Sequence, residues 1–233
     1  MTPNRSQDPD RLGANPSSYT PSMDVLAAEV PHRDLYNLLI SCVGPRPIAW
    51  VSSVSAAGQP NLAPFSFFNC VCGNPPLLAF APGLRPPNDP APTHGEPKDT
   101  LRNIRETKEF VISVVTYDLR EAMNLTSGEY DATVNEFELA RLTPQPSRLV
   151  GPPRVGESPV SFECKLRQIL DFSTGPTGGS LVIGQVFAIH IDDAHCKDGR
   201  IDRDSLDLIG RLGGIQYTRT TERFEIARPK LQR

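Results

Sequence analysis

The sequence predicts a mainly β protein with peripheral helices, arranged as an antiparallel barrel. Three observations carry this class. At least six runs read as strands, few hold a helical period, and Gly and Pro interrupt them throughout. Phe162, Cys164, Leu166, Leu170 and Phe172 alternate with Glu163, Lys165, Arg167 and Asp171, the pattern of a sheet with one wet face. Leu181 to Ile191 is apolar at nearly every position, which predicts a strand covered on both faces.

Residues 1–22 are rich in Pro, Ser, Asn and charge. They bury too little surface to offset their ordering entropy, so they read as a flexible N-terminal arm before one domain spanning 23–233. Asp34 to Ile40 suits one or two helical turns. Pro47 to Ser55 is β-branched and aromatic and stops at the turn-like Ala56-Ala-Gly-Gln59. Asn61 to about Val71 completes a hairpin, and Pro64 within it argues for an edge position or a bulge. Pro76 to Ala81 is a third strand, after the Asn74-Pro-Pro turn. Residues 82–97 contain six prolines and two glycines, which restrict the backbone without favouring regular structure. They are expected to form either a semi-rigid flap that selects a second substrate or a plain spacer. Asp99 to Lys108 reads as a helix, capped by Asp99 or Thr100, with Leu101 and Ile104 as its apolar stripe and Lys108 in its last turn. A strand over Phe110 to Thr116, a helix near Asp118 to Leu125 and a last strand around Gly214 to Thr220 complete the set.

A net charge of -3 gives no long-range attraction for nucleic acid or an anionic membrane. No run of about 18 apolar residues is present to span a bilayer, and the N-terminus lacks the apolar core of a secretory signal. A cytoplasmic protein is expected, without nucleic-acid or membrane partners. The cysteines are odd in number and follow no framework spacing, which predicts reduced thiols. Cys70 and Cys72 form a C-x-C pair, but no second pair and no well-placed histidine accompany them. They read as small buried apolar residues rather than as metal ligands.

The familiar catalytic constellations are missing: no G-x-G-x-x-G opens a helix after a strand, and no P-loop, H-E-x-x-H or G-x-S-x-G occurs. No acid, base or nucleophile side chain is therefore assigned. What stands out is a cluster of small polar residues on apolar strands. Trp50-Val-Ser-Ser53 and Asn61-Leu-Ala-Pro-Phe-Ser-Phe67 share a hairpin, and Lys98-Asp-Thr100 opens a helix. Hydroxyls, a lysine and the free N–H groups of a helix start suit a phosphate. Backbone polar groups beside an aromatic wall suit a heteroaromatic ring. The same residues also suit an ordinary fold, with Trp50, Phe65 and Phe67 in the core, Ser52 and Ser53 on a strand surface and Lys98 at a solvated helix start.

Taken together, Pro45-Arg-Pro-Ile-Ala-Trp-Val-Ser52, Asn61-Leu-Ala-Pro-Phe-Ser-Phe-Phe-Asn69, Asn74-Pro-Pro76 and Lys98-Asp-Thr100 with Asn103 resemble the flavin reductase-like family in order and spacing. Glu163-Cys-Lys165 and Leu181-Val-Ile-Gly184 match weaker, later landmarks, and the loop before Lys98 is longer here. The resemblance covers about residues 33–220. It implies an FMN-binding split β-barrel, normally a homodimer with FMN near the subunit interface. Carried over by position, Trp50, Ser52 and Ser53 would line the flavin, and Asn61, Leu62 and Ala63 would offer backbone contacts to its polar edge. Ser66, Phe67, Lys98, Asp99 and Thr100 would form the phosphate end. Phe172 is a further ring neighbour, and Arg211 with Tyr217 matches a C-terminal Arg…Tyr feature.

The implied activity is an NAD(P)H-dependent flavin reductase, with NADH or NADPH as co-substrate and hydride passing from nicotinamide C4 to flavin N5. A partner monooxygenase would be one destination for the electrons. The alternatives are an FMN-bound electron carrier without NAD(P)H turnover and a non-enzymatic flavin-binding protein.

Overall fold

A computed structural model describes residues 24–85, 96–175 and 177–229. The chain falls into two units, Met1–Pro31 and His32–Arg233. The described part of the first contains a single 3-10 turn, Ala27–Glu29. The expected arm, residues 1–22, lies outside the described residues, as does most of the Pro-rich loop.

In chain order the second unit contains α1 (His32–Cys42), β1 (Arg46–Pro47), β2 (Ala49–Val54), β3 (Pro60–Phe65), β4 (Phe68–Gly73), β5 (Pro76–Phe80), α2 (Asp99–Thr107) and β6 (Glu109–Ser113). There follow α3 (Arg120–Leu125), α4 (Glu136–Leu139), β7 (Pro144–Gln145), β8 (Arg154–Val155), β9 (Val160–Ser173) and β10 (Gly179–Ile191). The last strands are β11 (Cys196–Lys197), β12 (Arg200–Ile201), β13 (Ile209–Arg211) and β14 (Tyr217–Arg219). The main sheet is antiparallel, with strand order β3-β2-β6-β9-β10-β5-β4. Its first and last members are consecutive in the chain, joined only through Ser66 and Phe67. The sheet therefore curls until its two edges are linked by two residues, giving a barrel with a split. Pro64 sits on an edge strand, as its missing N–H requires.

Side chains alternate across β2 with period two. Ala49 and Val51 face the barrel interior with Phe65, Phe80, Phe110 and Val182, and α2 closes this interior with Leu101 and Ile104. Three rings form its centre, Phe65 to Phe80 at 5.2 Å and Phe80 to Phe110 at 5.6 Å. A Cβ on Gly184 would come within 2.2 Å of the Phe110 ring, so that position admits only glycine without repacking the ring. Trp50 points the other way, into a second cluster with Leu62, Met123, Phe137 and Val155 beneath the segment that carries α3 and α4.

The structure corrects several expectations. The single run from Asn61 to Val71 is two strands, because closing the barrel turns the chain from one sheet edge to the other at Ser66–Phe67. In β9 the alternation breaks at Arg167: Leu166 pairs with Gly184 but Gln168 with Ile183, a one-residue bulge. Beyond it Ile169 packs against the core, while Leu170 and Phe172 turn outward and are exposed. Glu163, expected on the wet face, is fully buried. Leu181 to Ile191 is not covered on both faces within one chain, since Phe187 and Ile189 are half exposed. Cys70 is exposed and Cys72 half-buried, so only Cys164 behaves as a core thiol, its acidity suppressed by burial beside Glu163. The last strand is shorter than expected. The stem of the Pro-rich loop is pinned: Leu84 bridges Pro97, the Arg85 N–H donates to the Glu96 carbonyl at 3.0 Å, and Gly83 bridges Gly179.

Candidate functional site

The residues singled out in the sequence fall into a buried polar network and an accessible rim. In the network, Ser53, Asn61, Thr100 and Asn103 meet where α2 crosses β2 and β3. The Thr100 hydroxyl donates to Asn61 Oδ1 at 2.8 Å, and Asn103 Nδ2 donates to Ser53 Oγ at 3.2 Å. Asn61 Nδ2 donates to Glu136 Oε1 at 2.8 Å, and the Leu62 N–H donates to Glu136 Oε2 at 3.1 Å. Glu136 thus lies along the free edge of β3 and occupies its outward N–H. Burial pushes the Glu136 carboxyl up, and the bonds from Leu62 and Asn61 offset part of that. Two buried atoms in this region have no hydrogen-bond partner among the described residues, Ser52 Oγ and Asn103 Oδ1.

This arrangement changes the assignments drawn from the resemblance. The side chains of Trp50, Ser52 and Ser53 are fully buried, because the sheet is covered on both faces at that point. The Trp50 Nε1–H donates to Thr126 Oγ1 at 2.9 Å, which seats the ring in the second core cluster. The Leu62 N–H is committed to Glu136. Successive N–H groups of a strand point to opposite sides, so those of Asn61 and Ala63 turn toward β2. None of the three is a free backbone donor on an exposed edge. The Thr100 hydroxyl is likewise directed inward.

The rim is different. α2 begins on Lys98, and no side chain among the described residues caps it, contrary to the expectation that Asp99 or Thr100 would. Its first N–H groups therefore keep their donor capacity beside a partly exposed ammonium. Lys98 Nζ meets Glu129 Oε1 at 2.8 Å. Asp99 bridges the buried Arg85 and the exposed Arg102, and Arg85 Nη1 stands 3.9 Å from Glu129 Oε2. Three cations thus surround two carboxylates at the start of α2. Ser66 is half-buried at the split, and Phe67 beside it is exposed, with the Tyr36 ring at 6.1 Å and the Arg46 guanidinium at 5.9 Å. Arg46 itself is held by the Ile40, Val43 and Leu212 carbonyls at 2.6, 2.5 and 2.9 Å.

Sequence reasoning missed Arg85, Glu129 and Glu136. Arg85 was hidden in the Pro-rich stretch, and nothing local marks Glu129. Glu136 had a usable signal: Asn135 with Glu138 three residues on is a helix-start pattern, and Asn135 Oδ1 does accept from the Phe137 N–H at 3.1 Å. A groove of about 1370 Å³ lies elsewhere, along Tyr117, Arg120, Arg211, Tyr217, Arg219 and Phe224. Arg211 and Tyr217 meet there, the guanidinium 4.6 Å from the ring centre.

Residues 43–202 match the family described as the flavin reductase like domain. A protein of Aquifex aeolicus (strain VF5) is 37% identical over 198 residues, covering 84% of this chain and 95% of that protein. Among solved structures, nitrilotriacetate monooxygenase component B from Bacillus cereus gives a TM-score of 0.81 at 33% identity, covering 89% of this chain and 100% of its own. The 2-nitrobenzoate 2-nitroreductase of Pseudomonas fluorescens gives 0.77 at 32% identity, covering 89% of this chain and 96% of its own. A split sheet closed by α2, and matches of this length in sequence and in structure, lead to one assignment: the chain belongs to the flavin reductase-like family.

Proposed function

We propose that this chain binds FMN at the rim formed by α2 and the split, and catalyses electron transfer from NADH or NADPH to it. The observation that carries the reading is the uncapped start of α2 at Lys98. Donors with no side-chain cap among the described residues, beside a cation, fit the phosphate of a flavin mononucleotide. The exposed Phe67 ring at the sheet split fits a flat aromatic group nearby. Lys98, the N–H groups of Asp99 and Thr100, and Ser66 would hold the ligand, while the enclosed Trp50, Ser52 and Ser53 support the barrel wall behind them.

With FMN in place, the chemistry supplied is hydride acceptance from a reduced nicotinamide. The chain's own part is to bind, orient and exclude water. No acid or base side chain is required, and His190 is engaged with the buried Glu163. The relatives named as a monooxygenase component and a nitroreductase are both redox proteins, which supports electron delivery to a further acceptor. Steady-state oxidation of NADH and of NADPH with added FMN tests the activity. Turnover with at least one dinucleotide is expected. FMN binding without turnover would assign the chain to electron carriage instead.

A homodimer is part of the same proposal. The outer ends of β9 and β10 leave Phe172, Phe187 and Ile189 exposed, apolar surface that a second copy would cover. Light scattering is expected to give twice the 25.5 kDa chain mass. A 25.5 kDa species at micromolar concentration would count against it.

A further inference from the structure

We infer that Glu129 competes with the ligand phosphate for Lys98 and thereby makes FMN exchangeable rather than permanently held. The inference rests on the phosphate reading above and goes beyond it by naming what sets flavin retention. Glu129 Oε1 lies 2.8 Å from Lys98 Nζ, and Oε2 faces the buried Arg85 at 3.9 Å. Its carboxylate therefore occupies a position on the Lys98 ammonium that a phosphate oxygen would have to contest. Asp99 cannot play this part, because Arg85 and Arg102 hold it from both sides and it is largely enclosed.

Glu129 is free to move where Asp99 is not. Its side chain is 30% exposed, and it belongs to the short segment after α3 rather than to the barrel. That segment is anchored next door by Tyr130, whose hydroxyl donates to the Leu125 carbonyl at 2.8 Å. The Glu129 side chain can thus rotate into solvent without breaking a core contact.

Charge balance points the same way. With Glu129 turned out, the Lys98 ammonium faces the phosphate, which carries about two negative charges, with no carboxylate of Glu129 between them. With Glu129 turned in, a phosphate at the same place would meet a carboxylate that already holds the Lys98 ammonium. FMN binding then includes breaking the Lys98–Glu129 pair, and FMN release is assisted by its re-formation.

The test is the dissociation constant of FMN and of riboflavin, by flavin fluorescence, for the wild type, Glu129→Gln and Lys98→Ala. Glu129→Gln is expected to tighten FMN roughly three- to tenfold, about what a partly exposed ion pair and a nearby like charge supply, and to leave riboflavin unchanged. Unchanged or weaker FMN binding in Glu129→Gln, together with a loss in Lys98→Ala, would overturn the competition while leaving the phosphate reading intact. Equal tightening of both flavins would also overturn it. No loss of FMN affinity in Lys98→Ala would remove the phosphate reading and the competition with it.

Discussion

Replacing Lys98 with alanine is expected to weaken FMN binding by about ten- to a hundredfold and riboflavin binding hardly at all. A charge-assisted hydrogen bond contributes about 1.5–3 kcal/mol, and each 1.4 kcal/mol is tenfold in affinity. The substitution removes the ammonium at the start of α2 and leaves the helix N–H groups, which carry no net charge. It also leaves Glu129 without its partner beside the phosphate, adding repulsion to the loss. Riboflavin has no phosphate and serves as the internal control for folding and for ring binding. The FMN difference should shrink as salt is raised, since Lys98 is partly exposed and its field is screened. An equal loss for both flavins would move the phosphate away from α2, and the arginine-lined groove beside Arg211 would be the next place to look.

The largest effect on stability is expected at Glu163. This carboxylate is fully buried, yet it receives the Arg148 N–H at 2.7 Å, the Leu149 N–H at 2.6 Å and the His190 Nε2 group at 2.5 Å. Truncation to alanine strands these donors in a closed site, at a cost of about 3–5 kcal/mol. Denaturant unfolding near neutral pH measures it, and a cost below about 1 kcal/mol would show that the segment relaxes or that water replaces the carboxylate. The pH dependence has a definite sign. Burial alone would raise the Glu163 carboxyl, but the donors from Arg148, His190 and Leu149 outweigh it and hold the carboxyl below its ordinary value. A carboxyl depressed in the folded state stabilises fully above its unfolded pKa of about 4.3, and that contribution fades as pH falls through the lower, folded value. The gap between wild type and Glu163→Ala should therefore narrow in acid.

Much of the barrel was legible because local pattern and tertiary role agree in it. The run around Trp50 is β-branched on both faces, and both faces are buried, so a strand follows directly. Leu101 and Ile104 mark a helix with one apolar stripe, and that stripe fills the barrel. The failures lie where a distant partner decides. Nothing between Asn61 and Val71 signals a break, since the bend at Ser66–Phe67 comes from joining the two edges of a sheet. A period of two read through β9 assigns Leu170 and Phe172 to the core face, but one extra residue at Arg167 reverses the positions that follow, and a second irregularity falls at Phe172. Glu163 looks like a solvent residue until the Arg148–Leu149 backbone folds over it. The motif residues divide by burial: the side chains of Trp50, Ser52 and Ser53 are enclosed, whereas Lys98 and Phe67 remain accessible.

The pinned stem between Leu84 and Pro97 has a consequence for how such a protein can diversify. The stem is fixed by its own bridge and by Gly83 on Gly179, so its two ends are held together at the barrel. Doubling a closed loop costs only about 0.6 kcal/mol in closure entropy, well within what a domain tolerates. The stem leads straight into α2 and its cations. A change of length between these ends would therefore be felt first at the start of α2, where Arg85 and Lys98 stand.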